Sequence, residues 1–83
     1  MAFAANIYVS LKSTVSDPQG ATVSGALSQL GFDSVRDVRV GKYITLHIDE
    51  SSKKKAELVV VDMCEQLLAN TVIEEYKFEL QEL

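Results

Sequence analysis

The chain has 83 residues, room for a single domain over 1–83, and a domain of this size buries only about 60% of the surface its unfolded chain exposes, so association is a common remedy for a marginal core. Apolar residues make up 47% and charged residues 24%, with a formal net charge of -4; this is the balance of an ordinary soluble domain and speaks against nucleic-acid binding, which needs a basic surface. The single cysteine, Cys64, leaves no internal disulfide and fits a reducing cytoplasm, no apolar run is long enough to span a membrane, and Met1 to Ala5 lacks the basic and apolar regions of a secretion signal.

The first element reads as a strand, with Phe3, Ala5, Ile7, Val9 and Leu11 alternating with Ala4, Asn6, Tyr8 and Ser10. A polar loop, 12–16, leads to Asp17-Pro18-Gln19-Gly20. Asp17 suits a helix cap and Pro18 the first helical position. A phosphate cradle is disfavoured there, because Asp17 would repel the anion and no Gly-x-Gly or Walker pattern is present. Val23, Ala26, Leu27 and Leu30 form one apolar stripe, and Gly31 marks the left-handed stop, with Phe32 folding back on Leu27. Gly20 and Gly25 are helix-weakening residues, and close packing of another backbone would explain Gly25.

Residues 35–49 are strand-like. Val38, Val40, Ile44, Leu46 and Ile48 share one parity across Gly41. A two-residue turn would flip the apolar face, so either an odd-length turn or one long strand bent at the glycine is expected. Gly41-Lys42-Tyr43 sets a turn beside a cation that can meet an acidic partner or only water. The second helix carries Ala56, Val59, Val60, Met63 and Leu67 at helical spacing, with Ser51 or Ser52 as cap and Asn70 as a left-handed terminator. The last strand runs over 71–80 with Val72, Tyr76, Phe78 and Leu80 on one face; Glu74 falls on the same face, which a solvated strand end or a bulge would resolve.

The order βα(ββ)αβ predicts an α+β, ferredoxin-like βαββαβ fold: an antiparallel sheet with two helices on one face. The other face would hold Tyr8, Arg39, Tyr43, Thr45, His47 and Ile73, a set rich in rings for a surface that meets only water, so sheets from different subunits are expected to associate there. No catalytic or metal constellation is legible. His47 is a lone strand histidine at the surface or an interface, Cys64 a small buried apolar group, and the carboxylates form no metal loop or acid–base pair.

Three stretches carry a family resemblance. Ile7-Tyr8-Val9-Ser10-Leu11-Lys12 with Asp17-Pro18-Gln19-Gly20, Val35-Arg36-Asp37-Val38-Arg39-Val40-Gly41-Lys42-Tyr43, and Met63-Cys64-Glu65-Gln66-Leu67-Leu68-Ala69-Asn70-Thr71-Val72-Ile73-Glu74 stand in the order and spacing of the PurS family. The resemblance implies a small non-catalytic subunit of phosphoribosylformylglycinamidine synthase, an ATP-dependent C–N ligase of purine biosynthesis. It implies a homodimer or tetramer that joins a PurL-type synthetase subunit to a PurQ-type glutaminase subunit and supports ammonia transfer. ATP and Mg would belong to the large subunit, with no cofactor in this chain. Tyr8, Asp17, Pro18, Gln19, Gly20, Arg39, Gly41, Lys42, Tyr43, His47, Asn70, Ile73 and Glu74 are the candidates for shaping the oligomer or touching partners. A dimeric small-molecule-binding regulatory module of the same fold is the competing expectation. An RNA-binding sheet, with Tyr8 and Tyr43 under bases, is disfavoured by the acidic balance.

Overall fold

The computed structural model describes residues 1–83. Its elements are strand β1 (Ala2–Leu11), helix α1 (Pro18–Gln29), strand β2 (Lys42–Asp49), helix α2 (Lys53–Met63), a π-helical turn (Cys64–Leu68) and strand β3 (Glu74–Glu82). The sheet is antiparallel in the order β2-β1-β3.

β1 is central, paired along both edges with β2 and β3. Phe3, Ala5, Ile7 and Val9 point to one face and are buried. Ile44, Leu46 and Ile48 from β2 and Tyr76, Phe78 and Leu80 from β3 join them, and Val60, Cys64 and Ala69 close the core from above. α2 begins where Ser52 accepts the Lys55 amide at 3.2 Å, one of the two expected caps. It ends in the π turn, where the Ala69 amide donates to the Cys64 carbonyl at 3.0 Å. Ala69 is already extended and buried there, so the chain leaves the helix without a left-handed residue. Asn70 is therefore not the left-handed terminator the sequence suggested.

α1 starts and stops as its sequence dictates. Asp17 caps it, and Gly31 at φ 95° closes it. The Gly31 amide donates to Ser28 and the Phe32 amide to Leu27, each at 3.0 Å, the paired bonds of a Schellman stop. Its apolar stripe is left bare: Val23 and Ala26 are exposed, Leu27 is half-buried, and Leu30 is 74% exposed. α1, expected beside α2 on one face of the sheet, thus leaves its stripe uncovered by the strands of its own chain.

The stretch before Gly41 accounts for this. Residues 35–41 make no strand pairing, and β2 begins only at Lys42. Asp17 holds the Val40 amide and Arg39 holds two carbonyls of the 12–15 loop, so the segment is fastened to the start of α1 and cannot fold back along β2. The outer edge of β2 stays open. The shape reflects it: the molecule measures 51 × 27 × 14 Å with a radius of gyration of 16.4 Å, where a compact chain of this length has about 12 Å. Its accessible surface is 5942 Å² against about 4,900 Å² for a compact monomer of this mass.

Candidate functional site

Most of the candidate residues converge on one end of the sheet, around the exit of β1. Asp17 is buried although ionisable, and its two carboxylate oxygens accept the Gly20 amide at 2.9 Å and the Val40 amide at 2.8 Å. The Val40 bond, then the Gly20 bond, hold its pKa below the ordinary value. Gly20 fits because a Cβ there would sit 2.2 Å from the Val38 carbonyl oxygen. Gly41 fits for the same reason, its Cβ position lying 2.6 Å from the Val9 carbonyl oxygen. Gly25, the glycine at which a close approach was expected, meets nothing within its own chain, and the tight contacts fall at Gly20 and Gly41 instead.

Arg39 donates to the Lys12 carbonyl at 3.0 Å and the Val15 carbonyl at 2.9 Å. Opposite, the turn before β3 is organised by Glu74. Its carboxylate accepts the Asn70 amide at 2.7 Å and meets the Lys42 ammonium at 3.4 Å. Those contacts, the Asn70 amide first, lower the Glu74 pKa. Asn70 turns its side chain onto the Val72 amide at 3.2 Å, and Ile73 accepts the Lys12 amide at 2.9 Å. Glu74 thus opens the strand as a satisfied group, which removes the conflict seen in the sequence. Three charged side chains each hold backbone from a different segment, and the loops at 12–17, 38–42 and 70–74 become one platform. A shallow cleft of about 200 Å³ lies in it, lined in part by Ser10, Asp17, Gln19, Lys42 and Glu74. Pro18 stands exposed at the start of α1.

Tyr8, Tyr43 and His47 sit elsewhere, on the sheet face opposite α2. Tyr8 pairs with Tyr43 in register, with ring centroids 5.0 Å apart. Thr45 and His47 continue that face along β2. Arg39 and Ile73, expected there as well, belong to the platform, because neither lies on a strand. Sequence reasoning missed Lys77 and Glu79. Lys77 stands 5.6 Å from the Tyr8 ring centroid; burial raises the Tyr8 pKa, and the Glu79 and Tyr43 side chains add to it. Both positions alternate with Tyr76 and Phe78, a signal that places them outside the core. Also unforeseen is the Tyr76 hydroxyl donating to Glu65 at 2.7 Å, a bond that pushes the Tyr76 pKa up to about 12. Burial raises the Cys64 thiol, which keeps it protonated rather than nucleophilic. No three His, Cys, Asp or Glu side chains come together as metal ligands, and no helix is long and apolar enough to cross a membrane.

Fold and platform together define a small ferredoxin-like α+β module whose polar side chains fix backbone and whose largest unfilled features are outer surfaces. The model of the PurS family, phosphoribosylformylglycinamidine (FGAM) synthase, matches residues 4–82. The PurS subunit of Bacillus subtilis is 51% identical over 77 residues, 93% of this chain and 90% of that protein. That of Synechocystis is 49% identical over 77 residues, 93% of this chain and 77% of that protein. Among solved structures, Bacillus subtilis PurS in a C2 crystal form superposes with a TM-score of 0.87 at 48% identity, covering 96% of this chain and 99% of that one. PurLQS from Thermotoga maritima has a matching chain at a TM-score of 0.89 and 36% identity, covering 98% and 99%. The chain belongs to the PurS family.

Proposed function

We propose that this chain is the small, non-catalytic subunit of a cytoplasmic FGAM synthase, which makes formylglycinamidine ribonucleotide from formylglycinamide ribonucleotide, glutamine and ATP. It joins a PurL-type synthetase to a PurQ-type glutaminase and holds neither ATP nor Mg itself. The observation that carries the reading is the family match over residues 4–82. The likeness to a chain of PurLQS supports the choice of partners.

Ammonia made at one active site is lost to water or protonated unless the two sites keep a fixed relative position. A stiff adaptor meets that need without chemistry of its own. The platform suits such a role, since Asp17, Arg39 and Glu74 fasten its loops while Gln19 and Pro18 stand exposed and Lys42, paired with Glu74, keeps more than half of its side chain open to a partner.

Two copies complete each other. The α1 stripe of Val23, Leu27 and Leu30 is bare, and a groove of about 370 Å³ lined by Leu46, Val59, Met63, Leu67 and Leu68 beside Asp62 and Gln66 stands open next to β2. α1 of one copy fills that groove in the other, and its 35–40 segment pairs with the open edge of β2. The sheet face of Tyr8, Tyr43 and His47 stays outward, available to a further subunit.

The test is reconstitution with purified synthetase and glutaminase subunits. Glutamine-dependent turnover should need this chain, while turnover on added ammonia should not. Equal glutamine-dependent rates with and without the chain would overturn the assignment.

A further inference from the structure

On the outward face of the sheet, where β1 meets β3, we propose a binding site for a free α-amino acid, with Lys77 holding its carboxylate and Glu75 and Ser10 holding its ammonium. The inference rests on that face staying outward and not on which larger subunits the chain joins.

The strand register builds the site. β1 and β3 pair Tyr8 with Lys77 and Ser10 with Glu75. Side chains alternate along a strand, so all four share the face away from Ile7, Val9 and Phe78. One rung carries a ring and a cation, and the next carries a hydroxyl and an anion. A cleft of about 320 Å³ is lined by these four residues and Tyr76, a size at the low end of small-ligand clefts, about 300–1,000 Å³.

The opposite charges are not spent on each other. Lys77 and Glu75 stand two positions apart on one strand face, with about 6.6 Å between Cα atoms. The lysine leans over the Tyr8 ring, 5.6 Å from its centroid. The chain's ion pair is Lys42 with Glu74, and neither Lys77 nor Glu75 forms one. Both charged side chains and Ser10 are exposed, while Tyr8 is half-buried and packs on Tyr43 with centroids 5.0 Å apart. The cleft thus sets a held ring beside an ammonium at one end and a carboxylate with a hydroxyl at the other.

This arrangement selects a ligand with both charges on one carbon. A phosphate would meet a single cation flanked by Glu75 and Glu79. A metal ion finds no cluster of three ligands and meets the Lys77 ammonium. An uncharged ligand would cover both charges without pairing either. An α-amino acid pairs both: its carboxylate accepts from Lys77, its ammonium donates to Glu75 and Ser10, and its side chain lies against the Tyr8 ring.

Nitrogen-15 NMR of the full chain, titrated with glycine, L-glutamine and L-phenylalanine, tests this. The Tyr8, Ser10, Glu75 and Lys77 amides should shift together, with a dissociation constant on the order of 10 mM, weak because both ion pairs form open to water. N-acetylglutamine lacks the ammonium and glutaminamide lacks the carboxylate; each should bind about two- to fivefold more weakly than glutamine. Lys77→Met should weaken glutamine by the same factor and should not weaken glutaminamide, which has no carboxylate to lose; Glu75→Gln should do likewise with N-acetylglutamine. Both side chains are exposed, so folding should survive, and circular dichroism checks it. No shifts with any of the three amino acids, equal affinity for the blocked analogues, or wild-type affinity for glutamine in both variants would overturn the proposal.

Discussion

The Asp17 carboxylate accepts the Val40 amide at 2.8 Å across 23 positions of sequence. With its second oxygen on the Gly20 amide, this one side chain fixes the start of α1 to the residue that leads into β2. It turns the 35–41 segment away from the sheet and leaves the β2 edge and the α1 stripe unfilled.

Asp17→Asn should therefore loosen the platform. A neutral amide keeps one acceptor oxygen, so one of the two backbone amides loses its partner. The folded-state pKa of Asp17 lies below its ordinary value of 3.8, so its contribution is complete above that value and is lost as pH falls through the folded pKa. Glu74 acts in the same sense. The wild type should lose stability on acidification below the ordinary carboxylate range, and Asp17→Asn should show a shallower acid slope. Melting curves from pH 7 to pH 2 measure both effects; identical slopes would remove Asp17 from its structural role.

Gly20 and Gly25 should respond in opposite ways to alanine. A methyl at Gly20 meets the Val38 carbonyl at 2.2 Å, and the backbone shift it forces costs about 1–3 kcal/mol. At Gly25 the space is open, and replacing a helix-interior glycine gains about 1 kcal/mol. Urea unfolding of dilute protein distinguishes the two, and a destabilised Gly25→Ala there would show that the α1 surface is covered within its own chain.

Lys42→Met tests the platform as a contact surface. Lys42 is 56% exposed, and Glu74, though only 14% exposed, keeps the Asn70 amide when the ammonium is removed, so the fold should change by only about 1 kcal/mol. Co-elution with the synthetase and glutaminase partners should weaken. Methionine is preferable to glutamate, which would set a second carboxylate against Glu74 and disturb the 70–74 turn. Wild-type co-elution in Lys42→Met would take this lysine out of the interface.

What the sequence made legible were the features that one segment decides by itself. The alternation of β1, the Asp17-Pro18 cap, the Gly31 stop and the helical spacing of α2 each follow from local sterics and hydrogen bonding. The 35–49 stretch was ambiguous because parity reports which side chains share a face and not which backbone a strand pairs with. Asn70 misled because a helix can end through a π turn with no left-handed residue, and the buried Ala69 draws the chain off the helix first. Lys77 and Glu79 escaped notice because a charge on an outer strand face looks like any solvated charge until the register sets it beside the Tyr8 ring. The platform was visible only in part: the motif residues stood out, but that Arg39 holds the carbonyls of Lys12 and Val15 depends on contacts across 27 and 24 positions, and that Glu74 meets Lys42 on one across 32.

A single copy is incomplete in this account, and the association state of the chain tests that most directly. Analytical ultracentrifugation at micromolar concentration should find particles of two chains or an even multiple, and Leu27→Glu with Leu30→Glu on the α1 stripe should lower that mass while leaving the β1–β3 sheet folded. Wild-type particles of one chain, scattering with a radius of gyration near 16.4 Å, would contradict it.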